Sequence, residues 1–492
     1  MDTTPILYVS GRVYSPADPT ATAMLVDGDR ITWLGARADA PSAARVVDLG
    51  DRLVTPAFVD AHTHATDTGL ALSGLDLSGC HSAGDLLARV AARAVHTDGL
   101  IMGHGWELAE PPTASELDAA AGGRPVYLTR IDKHSALAST ALLHHAAGHV
   151  GHDPDGWVRL DAHHEIRKAA YAALSDTERV AAGRLALRHA ASLGIAAVHE
   201  CGGPVLSSEA DFVGLLAAGE EYPQVFGFWG ELCAAAKAKE LGAVGAGGDL
   251  FADGAFGSRT ACVRDAYLDG DTHGHAYLTA EQVAAHLVDC AAHGMQGGFH
   301  AIGDGALRAV VDGFALAADR LGVDAVREAG HRVEHAELLD KELIAGFVEF
   351  GIIASVQPVF DRLWGGEHGM YAQRLGVERA LAANPLSALH GVGVTLAFGS
   401  DSPVTPLDPW GAVLAATRHH NPVHRISAKA AFAAHTRGGW RAVRHDNEGV
   451  LAPGAAATFA VWDTNAPGLP DLDEGAPRCL RTVLRGRTIH EE

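Results

Sequence analysis

The sequence predicts an α/β fold: a TIM (β/α)8 barrel with a lid-like insertion and a small β-sandwich built from both chain ends. Three observations carry this. Eight short apolar runs, each ending in polar residues, alternate with alanine-rich helical stretches, the pattern of βα units around a parallel sheet. They cover residues 54–64, 195–200, 225–231, 250–253, 296–300, 332–335, 352–357 and 395–401. Both chain ends carry a different signal, short alternating runs punctuated by glycine. Finally, the gap between the first two barrel runs is too long for a single helix.

The N-terminal runs are residues 6–9, 24–26 and 30–35, with turns at Gly11, Gly28 and Gly35, the signature of antiparallel strands. Residues 458–462 and 481–484 mirror them at the C-terminus, with Gly486 following. Neither set has enough strands for a stable sheet alone, so the two are expected to pair around an inserted barrel. The division predicted is 1–53 and 446–492 for the sandwich and 54–445 for the barrel, with an insertion of about 76–172. The 492 residues suit a barrel-sized domain with an accessory one.

Composition narrows the partners. A formal net charge of −22 argues against nucleic acid or an anionic membrane surface. The opening Met1-Asp2-Thr3-Thr4-Pro5 has no basic segment before an apolar core, and no apolar run is long enough to span a bilayer. A cytoplasmic protein acting on a small molecule is expected, with a homodimer as the base expectation for such an enzyme. The six cysteines form no Cys-x-x-Cys pair, so neither a disulfide framework nor a thiolate zinc site is indicated.

The chemistry gathers at the ends of the barrel runs. His62 and His64 close the first run one residue apart, and strand alternation turns both toward one point. Among 29 histidines one such pair decides nothing. The fifth run adds His300, the sixth His335 and the eighth Asp401, so four imidazoles and one carboxylate stand at four strand ends. That set suits one or two divalent metal ions, with zinc the expected cofactor. Asp60, Asp304 and Glu334 are candidates to accept the outward N–H of a ligating imidazole, and alternation favours Asp60. The insertion offers Trp106, Arg130, Asp132 and His134 for substrate, and the barrel loops offer Arg259, Gln357 and Trp364. Arg259 could equally tie loops together, and Trp364 reads better as structural. Residues 242–248, rich in glycine, lack the G-x-G-x-x-G spacing, there is no P-loop or G-x-S-x-G, and His163-His164-Glu165 lacks the second histidine of H-E-x-x-H. That tripeptide reads as a polar helix start.

Several ordered motifs resemble the amidohydrolase superfamily, in particular the YtcJ-like branch of metal-dependent hydrolases that includes N-substituted formamide deformylases. They are Pro56-Ala57-Phe58-Val59-Asp60-Ala61-His62-Thr63-His64, Gly105-Trp106-Glu107, Arg130-Ile131-Asp132-Lys133-His134, Phe251-Ala252-Asp253-Gly254, His300-Ala301-Ile302-Gly303-Asp304, Glu334-His335-Ala336, Gly399-Ser400-Asp401-Ser402-Pro403 and Gly449-Val450-Leu451-Ala452-Pro453-Gly454. The resemblance covers essentially the whole chain. It implies that His62, His64, His300, His335 and Asp401 are metal ligands, with Asp401 and His335 in the catalytic role. One position departs from the pattern. The family commonly has a lysine two residues before the Phe-Ala-Asp-Gly motif, where its carboxylated form bridges two metals, and here stands Asp249. An aspartate is much shorter, which leaves open a mononuclear site, or a bridge from Asp249 or from Glu200 at the end of the second run.

The reading is a metal-dependent hydrolase that cleaves a C–N bond of a small amide, N-acyl or N-formyl compound with metal-activated water. A deaminase or an ester or lactone hydrolase would use the same site. A non-catalytic binding or assembly module on the same fold is the alternative from another class, and the retained ligand set argues against it.

Overall fold

The computed structural model describes residues 4–492; Met1-Asp2-Thr3, part of the opening read above as carrying no leader, lies outside the described residues. Its centre is a parallel eight-stranded sheet in sequential order: β1 (Phe58–Thr63), β2 (Ile195–Gly202), β3 (Gln224–Trp229), β4 (Gly245–Ala246), β5 (Gln296–Ala301), β6 (Arg332–His335), β7 (Ile353–Val356) and β8 (Leu396–Phe398). The ring closes beyond the end of β8. A parallel bridge joins Thr63 to Ser402, the Asp401 amide donates to the His62 carbonyl at 2.8 Å, and the His64 amide donates to the Ser402 carbonyl at 3.0 Å. Closure therefore brings the eighth strand end beside the first, and Asp401 beside His62. The connecting helices follow local signals. Ala280–His293, for example, starts at a Thr279/Gln282 capping box and stops at left-handed Gly294.

Two of the predicted runs divide differently. The first run is two strands: Leu53–Pro56 pairs with Phe459–Trp462 in the sandwich, and β1 begins only at Phe58. The fourth strand is not the apolar run at 250–253, which gives a single bridge from Phe251 to His300. It is the glycine-rich Gly245–Ala246, pairing with β3 and β5. Gly247 (φ 156°) and Gly248 (φ 74°) then break the strand before Asp249. No side chain fits here: a Cβ on Gly247 would lie 2.3 Å from the Gly298 amide nitrogen, and one on Gly248 would lie 3.0 Å from Cys201 Sγ.

The chain ends form two packed sheets. One holds Arg30–Gly35, Ala23–Asp27, Ile6–Val9 and Arg45–Asp48, all N-terminal; the other mixes Arg12–Val13 and Leu53–Pro56 with Phe459–Trp462, Cys479–Leu484 and Arg487–Glu491. Tyr8, Met24, Ile31, Phe459 and Val483 fill the space between them, with the Tyr8 and Phe459 rings edge to face at 5.1 Å. Trp462 joins the sandwich to the barrel. Its ring packs on Phe58 and Trp410, and its Nε1–H donates to Thr55 Oγ1 at 2.8 Å. The insertion is a third unit, a five-stranded sheet of Leu75–Asp76, Ile101–Trp106, Val126–Arg130, Ser135–Ala138 and Trp157–Arg159 with its own apolar core. Among the described residues no helix is long and apolar enough to cross a membrane.

The sandwich–barrel joint makes a test. Gly194 has φ 80°, and a Cβ there would lie 2.4 Å from the Trp462 ring, whereas Gly28 has φ 58° with nothing within 4 Å. Gly28→Ala is expected to cost only the left-handed backbone penalty, about 1–2 kcal/mol. Gly194→Ala should add an overpacking cost of about 1–3 kcal/mol. Equal denaturant midpoints for the two variants would contradict this account of the joint.

Candidate metal centre

Six side chains converge where the barrel strands end. His62 and His64 leave β1, His300 lies on β5, His335 ends β6, Asp401 follows β8, and Asp249 follows the break in β4. Asp249 lies at the centre. Its Oδ2 is 3.2 Å from His64 Nε2, while Oδ1 is 3.5 Å from His62 Nε2, 3.3 Å from His300 Nδ1 and 3.7 Å from His335 Nε2. Asp401 Oδ1 lies 3.4 Å from His62 Nε2 and 3.2 Å from His64 Nε2. The bend at Gly247 and Gly248 carries the Asp249 carboxylate to a point facing all four imidazoles. His335, Ala336 and Asp401 have φ of 68°, 47° and 55°, left-handed conformations rare outside glycine and concentrated at functional sites.

Each ring is held from behind. His62 Nδ1 donates to Glu334 Oε2 at 2.9 Å, and Glu334 is itself paired with Arg332. His64 Nδ1 donates to the Cys201 carbonyl at 3.0 Å, and His335 Nδ1 to Gln357 Oε1 at 2.8 Å. These bonds fix the tautomer that turns the Nε2 lone pairs of His62, His64 and His335 inward. His62 Nε2 is buried and has no hydrogen-bond partner, a costly condition for a buried nitrogen that cation ligation relieves. Three groups, namely His62/His64/Asp249, His62/His335/Asp401 and Asp249/His300/His335, each bring their ligand atoms within 4.8 Å of one another. Imidazole with carboxylate is a donor set for zinc and other divalent first-row ions, so the residues fit a metal centre. Protons answer the same charge: burial would lower the His64 imidazolium, but bonds to Asp249 and Asp401 raise it to about 10. Glu334 is driven the other way, for burial would raise it and Arg332 holds it well below the usual carboxylate range.

Several expectations are corrected. Asp60 does not orient His62 through its ring; its Oδ1 accepts from the backbone amides of His62 and Ser400, and Glu334 takes the ring. Asp304 accepts from Arg264. Glu200 is no bridge, because its Oε2 caps the helix Ala65–Ser73 by accepting from the Ala65 amide at 2.7 Å. Burial raises its carboxyl to about 7. Trp106 offers no surface to a substrate: it is fully buried in the insertion core, with Nε1–H donating to the Leu128 carbonyl. Arg130 is spent on Asp132 and Glu107, and Asp132 also accepts from Ser258 Oγ at 2.7 Å, latching insertion to barrel. Arg259 pairs with Asp269 and joins loops. Gln357 is buried behind His335. His134 does lie in the mouth, its ring 5.2 Å from that of His300.

Above the centre is a narrow cavity of about 30 Å³, walled by Phe256, Ile302, Phe360, Trp364, Met370 and Val404, with Asp132, His134 and Glu337 among its polar groups. Trp364 is thus both buried and part of the wall. A second lobe reaches His64, Asp67, Lys133 and Arg167. Sequence reasoning missed Asp67, Lys133 and Arg167. Lys133 could have been suspected beside His134; Arg167 lies on the helix Leu160–Ala172, and His163-His164-Glu165, expected to start a helix, lies inside it with His163 buried.

The amidohydrolase family matches residues 45–490 of the chain. The chain is similar to Protein LONG AFTER FAR-RED 3 of Arabidopsis thaliana, 27% identical over 99% of this chain and 91% of that protein. It is similar also to YtcJ of Bacillus subtilis (strain 168), 26% identical over 91% of this chain and 90% of that one. A solved structure of an uncharacterized metal-dependent hydrolase from Pyrococcus furiosus superimposes with a TM-score of 0.74, at 26% identity, over 94% of this chain and 99% of that one.

If Glu334 fixes His62 for a metal, Glu334→Gln should weaken zinc binding by about 10–100-fold in competition with a chelator. Asp304→Asn, which touches no ligand, should bind zinc as the parent does. Parental affinity in the Glu334 variant would contradict the assignment.

Proposed function

From its membership of the amidohydrolase family, to whose YtcJ-like branch this metal-dependent hydrolase belongs, we propose that the chain cleaves the C–N bond of a small amide, with N-formyl and N-acetyl compounds the best-supported class. The carrying observation is the convergence of four imidazoles on Asp249, with Asp401 Oδ1 3.2 Å from His64 Nε2, at the base of a small, largely apolar cavity.

A divalent ion bound by these residues would supply Lewis acidity toward a carbonyl and activate water at neutral pH. The side chains supply the rest. His62, His64, His300, His335 and Asp249 would hold the ion, and their partners Glu334, Gln357, the Cys201 carbonyl and the Gly254 carbonyl keep the rings from turning. Asp401 takes the proton of the attacking water on its carboxylate and returns it to the departing nitrogen, which must leave as a neutral amine. Its carboxyl is suited to accepting first, because burial would raise it but His62 and His64 keep it below its ordinary value. His134, pushed down to about 3 by burial and by His300, stays neutral beside the reacting carbonyl. Phe256, Phe360 and Trp364 exclude water around the acyl group, and the narrowness of their cavity favours a formyl or acetyl group over a long chain.

The test is Asp401→Asn, assayed for amine release from N-formyl and N-acetyl amines with metal content measured in the same preparation. The variant should keep at least part of its metal while kcat falls roughly 10²-fold or more, the scale of a lost acid–base group. Near-normal turnover with metal retained would move the proton-transfer role elsewhere. Turnover of esters or lactones without any amide cleavage by the parent would replace the C–N reading with the ester one.

A further inference from the structure

Two cations line one lobe of the metal cavity, and the centre described above uses neither. Lys133 lies between Asp132 and His134 with φ 58°, a conformation that strains any residue with a side chain. The partly buried Lys133 lines the cavity lobe next to His64 and Asp401. Nζ donates to Thr129 Oγ1 at 2.9 Å, a neutral partner, and among the described residues no carboxylate lies within ion-pair distance of it. Burial lowers its pKa to about 8, with Asp67 pulling the other way. Arg167, only 5% exposed, donates from Nη2 to Asp67 Oδ2 at 2.5 Å, while its Nε–H is buried with no partner. Asp67 therefore pairs with Arg167 and acts on Lys133 only from beyond ion-pair distance.

Arg167 and Leu206 line not only this lobe but also a second, roomier cavity of about 240 Å³, whose other walls include Tyr171, Pro204 and Val205. The chemistry thus sits between a narrow apolar recess on one side and a larger space with cationic margins on the other. A purely structural lysine would gain most from ordinary backbone geometry and a carboxylate partner, and Lys133 has neither. Buried charges are otherwise paired, so the missing partner is expected from the ligand.

We propose that Lys133 and Arg167 form an anion subsite that holds a carboxylate on the amine half of the substrate, so that the chain acts on acidic N-acyl amines such as N-acyl amino acids. The inference rests on the hydrolase reading only in placing the scissile carbonyl at the metal centre. The acyl group occupies the narrow recess. The nitrogen and its substituent point toward Lys133, and the remainder of the amine half enters the larger cavity along Arg167 and Tyr171. Hydrolysis consumes one water across the C–N bond and yields a carboxylic acid and a free amino acid, and no other reactant is needed.

Matched probes test this: N-formyl and N-acetyl glycine, alanine and phenylalanine, each as the free acid and as the carboxamide, on the metal-loaded chain. Two readouts are taken, kcat/KM for amine release by the parent and calorimetric affinity for the same pairs on Asp401→Asn. The parent should prefer acids by about 10-fold or more, the size of one hydrogen bond to a charged group. In Lys133→Met the acid-to-carboxamide ratio should collapse toward one, and Lys133→Arg should restore part of it. Lys133→Gly, which suits the left-handed backbone, should collapse the ratio as well, and so separates lost charge from a folding defect. A parent ratio near one, or a ratio unchanged in Lys133→Met and Lys133→Gly, overturns the subsite while leaving C–N hydrolysis standing. Acid-selective, Lys133-dependent binding without amine release from any probe supports the subsite and overturns the C–N reading. Absence of both amine release and acid-selective binding overturns the subsite.

Discussion

Arg332 and Glu334 are fully buried inside the barrel, and the metal centre is built on how that charge is satisfied. Desolvating such a pair is tolerable only if nearly every donor and acceptor finds a partner. The Arg332 guanidinium binds both Glu334 oxygens, His199 Nδ1, the Ala61 carbonyl and Ser355 Oγ, and lies over the Phe228 ring at 4.3 Å. These contacts reach β1, β2, β3 and β7 from β6, so the pair pins the barrel interior as well as the carboxylate. What remains for Glu334 is the ring N–H of His62, and through it the direction of the His62 Nε2 lone pair. His335 follows directly. Alternation would send it away from the face that Glu334 occupies, but the left-handed backbone at His335 and Ala336 ends the strand and swings the ring to the centre.

The fourth strand makes the opposite arrangement, gaining function by losing regularity. Two residues pair, two glycines break the ladder, and the freed backbone lowers Asp249 among the imidazoles. The glycines are required because their neighbours are backbone atoms of β5 and the side chains of Cys201 and Phe228, which leave no room for a Cβ. A short carboxylate can thus face two histidine pairs at once.

The parts of this design that are local in sequence were legible there. His62, His64, His300, His335 and Asp401 each end an apolar run, and barrel topology brings such ends together whatever the loops do. The fourth strand was misplaced because Leu250 and Phe251 look more strand-like than Gly245 and Ala246; pairing with β3 and β5, not propensity, decides the matter. Asp60 was favoured over Glu334 by an alternation argument that holds within a strand, whereas the contact that matters crosses from β1 to β6. Trp106 and Arg130 belong to recognisable motifs, but only packing shows that the insertion's own core and latch consume them. Lys133 stands inside a recognisable motif and Arg167 in none, and nothing in the sequence joins the two, since they meet only when the insertion docks on the barrel.

The most direct measurement of the central claim is a crystal structure of the zinc-loaded chain with anomalous data on both sides of the zinc edge, together with metal stoichiometry. One or two anomalous peaks should lie within bonding distance of His62 Nε2, His64 Nε2 and Asp249, with Glu334 still on His62 Nδ1. Zinc bound elsewhere with these side chains unliganded, or a chain that binds none, would contradict the account.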